Sequence, residues 1–271
     1  MQSSYQLPAT SYQLPATSYQ LPATSYQLPS TVDSFSSTSS VSTATASQSA
    51  LISVIVPCFN EARTIVQLLR RVRAALPFAQ IIVADDGSTD GSGMLIDGLV
   101  SELGLQHQHQ ETNQGKGSAV RAGLGLVERE YVVIQDADLE YNPADICRLL
   151  RHAVEHRLDA VYGSRYLNGS ANRGGLANYV AVKLLAFVLR IVHGLRLTDP
   201  ATCYKLFRSE LVKSWPLRSQ GFEICQELNT RIARGCRFAE FQISYKPRNR
   251  KAGKKIVASD FLLAISSLFH G

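Results

Sequence analysis

The chain has 271 residues and a formal net charge of +6 at pH 7, with 45% hydrophobic and 18% charged residues. No run reaches the ~20 apolar residues that a bilayer-spanning helix needs, so a self-sufficient transmembrane protein is not expected. The five cysteines (Cys58, Cys147, Cys203, Cys225, Cys236) are odd in number and form no C-x-x-C pair, which argues against a disulfide framework and for a reduced, cytoplasmic compartment.

Residues 1–50 contain one acid, Asp33, and no Lys or Arg. They carry three full copies of SYQLPAT from Ser4 to Thr24, then a truncated fourth. Each copy holds a proline, and a proline inside a helix costs ~3 kcal/mol, so the period of seven is not a coiled coil. The Ser/Thr-rich stretch 30–49 reads as flexible linker. Nor does the repeat have the basic and continuous apolar regions of a secretory signal. Residues 1–50 are therefore expected to be unfolded, and 51–271 to form one domain. That part carries 28 basic against 21 acidic residues, or +7, which favours anionic partners.

In chain order, the β-branched run 52–56, ended by Pro57, predicts a strand. Apolar residues at helical spacing (Ile65, Leu68, Leu69, Val72) predict a helix over 61–75, with Asn60 placed to cap it. Segment 81–84 is a second strand, followed by an acidic turn and a helix over 91–103. A third strand over 105–110, a helix over 117–127, a strand over 131–135, a helix over 143–156 and a strand over 160–162 follow. Alternating strands and helices imply a doubly wound, mostly parallel α/β sheet, whose ligands bind beyond the carboxyl ends of the strands. Segment 179–192 is apolar but broken by Lys183 and Arg190, and 261–269 is too short to span. Each suits either a buried core face or a bilayer surface. Lys246, Arg248, Arg250, Lys251, Lys254 and Lys255 crowd into ten residues without an acid, as a surface that meets anionic lipid would.

Two features sit where such a sheet binds ligands: the turn 85–92 and the triplet Asp136-Ala137-Asp138. Side chains alternate along a strand, so an i, i+2 pair of carboxylates points one way and can hold a hard cation between them. Mg²⁺ or Mn²⁺ is usually held by one or two carboxylates, with phosphates and water completing the shell. Two solvated loop carboxylates would give the same triplet, so it needs its company to carry weight.

That company is "VIVPCFNE" (54–61), "VADDGSTDGS" (83–92), "NQGKGSAVRAG" (113–123), "QDADLEYNP" (135–143), "YGSRY" (162–166) and "TDPATCYKLFR" (198–208), in this order. Together they resemble the inverting glycosyltransferases of family 2, across nearly all of 51–271. Within that family, "TDPATCYKLFR" and "YKPRNRKAGKKI" (245–256) are similar to the polyprenyl-phosphate hexose synthases typified by dolichyl-phosphate mannose synthase. The resemblance implies a GT-A, Rossmann-like fold and transfer of a hexose from a GDP- or UDP-sugar to polyprenyl phosphate. It also implies Mg²⁺ or Mn²⁺, and a peripheral place on the cytoplasmic face of a membrane. No nucleic-acid partner is expected.

By the same resemblance, Pro57, Asn60 and Glu61 with Asp85 and Asp86 hold the nucleotide, and Asp136 and Asp138 hold the metal; Lys116, on its own residues, is a candidate to reach the donor, the alternative being that Gly115 and Gly117 simply make a turn before a helix. Arg165, Lys205, Arg248 and Arg250 are the candidates to grip phosphates, with Arg248 in "YKPR" matching the branch best. A lipid phosphate brings its own negative charge and needs no general base. A sugar-hydroxyl acceptor would need one, and Asp199 and Glu223 are the positions to suspect. Asp199 could instead cap or orient the strand after it. A noncatalytic nucleotide-sugar-binding module is the remaining alternative.

Other signals read as bland. Gly115-Lys116-Gly117 lacks Walker spacing. Asp86-Gly87-Ser88 begins a D-x-S-x-S adhesion motif, but Asp90 stands where its second Ser belongs. HAVEH (152–156) lacks the HExxH order of zinc proteases, His107 and His109 have no second ligand pair in sequence, and Cys203 has no partnering His motif.

Overall fold

A computed structural model describes residues 48–167 and 176–247. The SYQLPAT repeat, Arg248, Arg250, most of the basic run and segment 261–269 lie outside the described residues. Seven strands form one sheet in the order β3-β2-β1-β4-β6-β5-β7. They span Ile52–Cys58 (β1), Gln80–Asp85 (β2), Leu105–His109 (β3), Tyr131–Ile134 (β4), Ala160–Ser164 (β5), Lys205–Arg208 (β6) and Phe238–Gln242 (β7). All neighbouring pairs are parallel except those of β6, which runs antiparallel to both β4 and β5. Every residue of β1 is buried, as expected for a parallel strand covered on both faces.

β1 runs through Pro57 to Cys58, two residues past the expected end. Ile55 O accepts from Gln135 N on the β4 side. Pro57, two residues on, faces the same side, where β4 has already ended at Ile134. Its missing N–H therefore leaves no ladder bond unmade.

The first helix, Ile65–Ala75 (α1), buries Ile65, Leu68, Leu69 and Val72, and starts four residues later than expected because 61–64 form a turn. The helix expected over 91–103 is two short ones, Ser92–Asp97 (α2) and Val100–Leu103 (α3), interrupted at Gly98. Lys116–Gly125 (α4) packs on β1 and β2. Its Gly123 lets the helix sit directly on Ile55, where an added Cβ would stand 2.6 Å from Cγ2. Ala144–His156 (α5), Leu176–His193 (α6), Ser209–Ser214 (α7) and Ile224–Ile232 (α8) complete the α-helices of the described residues, and a 3-10 turn at Ser49–Leu51 precedes β1.

The 179–192 segment lies within α6. Val182, Leu185 and Leu189 are buried, whereas Val180, Leu184, Phe187 and Ile191, at helical spacing on another face, are 47–69% exposed. The buried face fits the core reading of that segment, and the exposed face is left over for another contact. No helix among the described residues is long and apolar enough to cross a membrane.

Candidate active site

A cavity of about 510 Å³ opens at the carboxyl ends of the parallel strands. Pro57 and Cys58 end β1, Asp86 follows β2, Asp136 to Asp138 follow β4, and Arg165 follows β5; all line it. Because β6 is antiparallel, the segment entering it, with Ala201 and Cys203, arrives at that same edge. The chain leaving β7 adds Tyr245, which bridges to Tyr141. The antiparallel strand is thus what brings the 198–203 segment into the cleft.

Asp136 and Asp138 are both partly exposed, with Ala137 between them 4% exposed. The alternation expected of a strand persists past the last paired residue, and both carboxylates belong to the cavity wall. Asp138 Oδ1 accepts Glu140 N at 3.0 Å. Lys116 Nζ is hydrogen-bonded to Asp136 Oδ1 and lies 5.5 Å from the Phe222 ring centre. Burial works against the ammonium charge, but the Asp136 carboxylate outweighs it and holds the Lys116 pKa well above its usual range. Asp86, 2% exposed, accepts Gln114 N and Gly115 N at 2.8 Å each, one per carboxylate oxygen, and so fixes the loop that carries Lys116. Gly115 has φ +98°, and added Cβ atoms at Gly115 and Gly117 would meet the backbone of 219–220 at 2.6 and 2.3 Å. Only glycine allows these two loops to lie so close.

Arg165 lines the same cavity with its Nε and Nη2 on Asp199 at 2.7 and 2.8 Å, while its backbone N–H also donates to Asp199. Asp199 is fully buried. Behind it, Glu240 on β7 accepts Thr198 N, Thr198 Oγ1 and Asp199 N. Burial raises the Glu240 carboxyl above the usual carboxylate range, partly offset by these donors. Tyr166 and Tyr245 flank the guanidinium at 5.3 and 5.0 Å.

A family model described as glycosyl transferase family 2 matches residues 53–215. The chain belongs to glycosyl transferase family 2. This glycosyltransferase is 32% identical to the undecaprenyl-phosphate mannosyltransferase of Micrococcus luteus, over 73% of this chain and 84% of that one. It is 31% identical to the polyprenol monophosphomannose synthase of Mycolicibacterium smegmatis, over 74% of this chain and 79% of the relative. Its fold matches that of glucosyl-3-phosphoglycerate synthase from Mycobacterium tuberculosis, solved with Mn²⁺, UDP and glucosyl-3-phosphoglycerate, at a TM-score of 0.62 and 20% identity, covering 83% and 82% of the two chains. At that identity the likeness is one of fold.

Of the residues expected at the site of this family 2 glycosyltransferase, Pro57, Glu61, Asp86, Lys116, Asp136, Asp138 and Arg165 line one cavity. Asn60 does not cap α1. It takes φ +54°, and its Oδ1 accepts Thr89 N while its own N–H donates to Ser88 Oγ, tying two turns together beside the cleft. Asp85 is fully buried and turned from the cavity toward His107 and His109. Lys205 does not reach a phosphate: it is 0% exposed, with Nζ donating to Pro200 O and Thr202 O beneath the cavity wall. Glu223 faces its own loop, where Oε1 accepts Gln220 N and Gly221 N. Asp199 lies behind Arg165 rather than in the cavity lining. Sequence reasoning passed over Glu240, Phe222 and Tyr141. Glu240 sits in a strand, FAEFQ, whose half-buried pattern gives no hint that its carboxylate turns inward.

Proposed function

We propose that this family 2 glycosyltransferase moves a hexose from a nucleoside diphosphate sugar to a polyprenyl phosphate, with inversion. The observation that carries the reading is that two carboxylates, Asp136 and Asp138, and the Arg165 guanidinium line a single cavity. The two bacterial relatives are named for transfer to undecaprenyl phosphate and polyprenol phosphate.

The residues fit a hard divalent ion. Two partly exposed carboxylates share the wall, and Asp136 already draws a cation, the Lys116 ammonium. Asp138 and Asp136 would hold Mg²⁺ or Mn²⁺, which supplies Lewis-acid stabilisation of the leaving diphosphate. Lys116 stands beside Asp136 to share donor charge. Asp86 sets the position of Lys116 through the Gln114–Gly115 amides. Pro57 and Glu61 face the nucleotide end of the same cavity.

Arg165 receives the acceptor phosphate. Two of the five N–H donors of its guanidinium go to Asp199, which fixes the plane of the rest. An acceptor phosphate arrives ionised, so catalysis is positioning and charge rather than proton abstraction. That agrees with the engagement of both carboxylates suspected as a base: Asp199 is held by Arg165 and Glu223 by the amides of its loop. Arg248 and Arg250 remain proposed phosphate ligands outside the described residues. The exposed stripe Val180, Leu184, Phe187 and Ile191 on α6 suits docking on the bilayer that contains the acceptor. The domain assignment, 1–50 as a tail and 51–271 as catalytic unit with a basic and apolar end at 245–271, belongs to the same proposal.

The test is release of nucleoside diphosphate from a panel of GDP- and UDP-sugars with Mn²⁺, with and without polyprenyl phosphate, beside Asp138→Ala. Lipid-dependent release lost in the variant supports the reading and names the donor. Release that ignores the lipid phosphate, or that survives Asp138→Ala, sinks it.

A further inference from the structure

Strand β3 carries His107 and His109 two residues apart and therefore on one side, and the β2 residue in register with His109 is Asp85. Asp85 Oδ2 lies 3.2 Å from His109 Nδ1 and 3.9 Å from His107 Nε2, and the three ligand atoms fall within 4.8 Å of one another. Their separation in sequence hid this grouping. The second ligand source that the H-x-H pair lacked in sequence comes from the neighbouring strand.

We propose that Asp85, His107 and His109 bind a borderline transition-metal ion of the Zn²⁺ class, at a site separate from the Asp136–Asp138 pair. The decisive feature is His107. Asp97 Oδ1 lies 2.7 Å from its Nδ1; an ionised carboxylate is only an acceptor, so the ring proton sits on Nδ1 and the lone pair on Nε2. The ring is 8% exposed, and Nε2 is buried with no hydrogen-bond partner while facing the Asp85 carboxylate. Asp85 Oδ1 is taken by Ser88 N at 3.0 Å, and a cation between Oδ2 and Nε2 would relieve the cost of two acceptors facing each other away from water. A proton on Nε2 serves poorly, because 3.9 Å exceeds the ~3.2 Å reach of an N–H···O bond. A metal ion serves well. Bonds of about 2.0–2.1 Å to a tetrahedral ion place its donors about 3.3–3.4 Å apart, so the Asp85–His109 spacing of 3.2 Å already suits one and the Asp85–His107 spacing of 3.9 Å would have to close.

The surroundings agree. A carboxylate on the far nitrogen of a ligating histidine fixes its tautomer and raises its basicity, and Asp97 stands in that place. Gly93 on α2 leaves the room: a Cβ there would come within 3.0 Å of Asp85 Oδ2 and 4.0 Å of His107 Cε1. Asp85 is 0% exposed, so a bound cation would neutralise a buried anion. The half-exposed His109 gives the ion a route in from solvent. Two imidazoles and one carboxylate select Zn²⁺, Co²⁺ or Ni²⁺ over the hard, all-oxygen ions. The site would also tie the end of β2 to β3, one residue before the Asp86 carboxylate that holds the Lys116 loop.

The experiment strips the full chain with a chelator and titrates it with Co²⁺, read by its visible absorption, and with Zn²⁺, read by competition with a chromophoric chelator. An Asp136→Ala/Asp138→Ala background removes the cleft as a source of signal. The expected result is one equivalent per chain, unchanged by His152→Ala, lost in His109→Gln, and weakened at least ~10-fold by Asp97→Asn. His109 is half exposed, so its replacement leaves the core intact, which a metal-free melting curve checks. The proposal is overturned if the stripped chain takes up neither ion, if His109→Gln binds as tightly as its parent, or if the equivalent disappears with His152.

Discussion

Removing the Asp199 carboxylate isolates the buried ion pair from the rest of the cleft. Asp199→Ala leaves Arg165 with 7% exposure and without the acceptor of its backbone N–H, Nε and Nη2, at 3.0, 2.7 and 2.8 Å. The two from the guanidinium join charged partners on both sides and contribute about 1.5–3 kcal/mol each. Their sum agrees with the about 3–5 kcal/mol lost when one partner of a buried pair is deleted. For a domain of this size that corresponds to a fall in Tm of roughly 6–20 °C. The assay is urea and thermal unfolding of wild type, Asp199→Ala, Arg165→Met and the double variant. Most of the cost lies in the stranded cation, so the double variant should recover part of the Asp199→Ala loss. Arg70→Ala serves as comparison, because Arg70 and Glu102 pair with side chains 57% and 49% exposed and such pairs contribute ~1 kcal/mol or less. A loss below about 1 kcal/mol for Asp199→Ala, or a double variant less stable than both singles, would refute the reasoning.

Gly117→Ala drives a methyl into the Ser219 carbonyl at 2.3 Å and should cost about 1–3 kcal/mol by thermal melting, with a raised KM for the donor because the Lys116 loop shifts. Gly125→Ala, with nothing within 4 Å of the added carbon, should be neutral or stabilise by up to ~1 kcal/mol. Burial, then the charges of Asp85 and Glu61, push the Cys58 thiol to about 12, whereas burial puts Cys236 at about 11. Folding thus suppresses the thiolate, leaving roughly one part in 10⁴ at pH 8 for Cys58; site-resolved alkylation between pH 8 and 10 should label Cys236 first, and equal labelling would contradict the burial. Replacing Leu184, Phe187 and Ile191 with Ser removes apolar side chains that are 47%, 60% and 69% exposed. At about 1 kcal/mol each for the surface they would still bury in lipid, vesicle co-sedimentation should weaken roughly 100-fold, and unchanged binding would place the contact elsewhere.

Most strands up to Ala160 were legible because each is a local event, a β-branched run such as ISVIV or YVVI bounded by turn residues, whereas β3, LQHQH, has no such run and follows from the alternation of elements. β6 and β7 were not, since KLFR and FAEFQ are short and take their state from neighbours brought in by a long connection. The antiparallel entry of β6 places the 198–203 segment in the cleft, as its motif suggested, but buries Lys205, whose ammonium turns back to Pro200 O and Thr202 O. A lysine in a motif signals charge to a sequence reader, whereas its direction is a tertiary fact. Asp199 was suspected as a base for the same reason; its partner, 34 residues earlier, is visible only after β5 and β6 pair. The triplet Asp136-Ala137-Asp138 was legible because strand alternation alone sets both carboxylates on one side. Asp85 was assigned to the nucleotide beside Asp86, yet that same alternation turns one of two adjacent carboxylates into the cleft and the other toward β3.

If the acceptor is a phosphate gripped by Arg165 in the cavity that Asp136 and Asp138 line, polyprenyl phosphate and the matching polyprenol should behave differently as acceptors. Each is incubated with the donor that supports turnover and with Mn²⁺, and the lipid product is identified by mass. The account predicts a hexosyl phosphate lipid from the phosphate acceptor, none from the alcohol, and loss of the product in Asp138→Ala and Arg165→Ala. Transfer to the alcohol at a comparable rate, or full activity of Arg165→Ala, would contradict it.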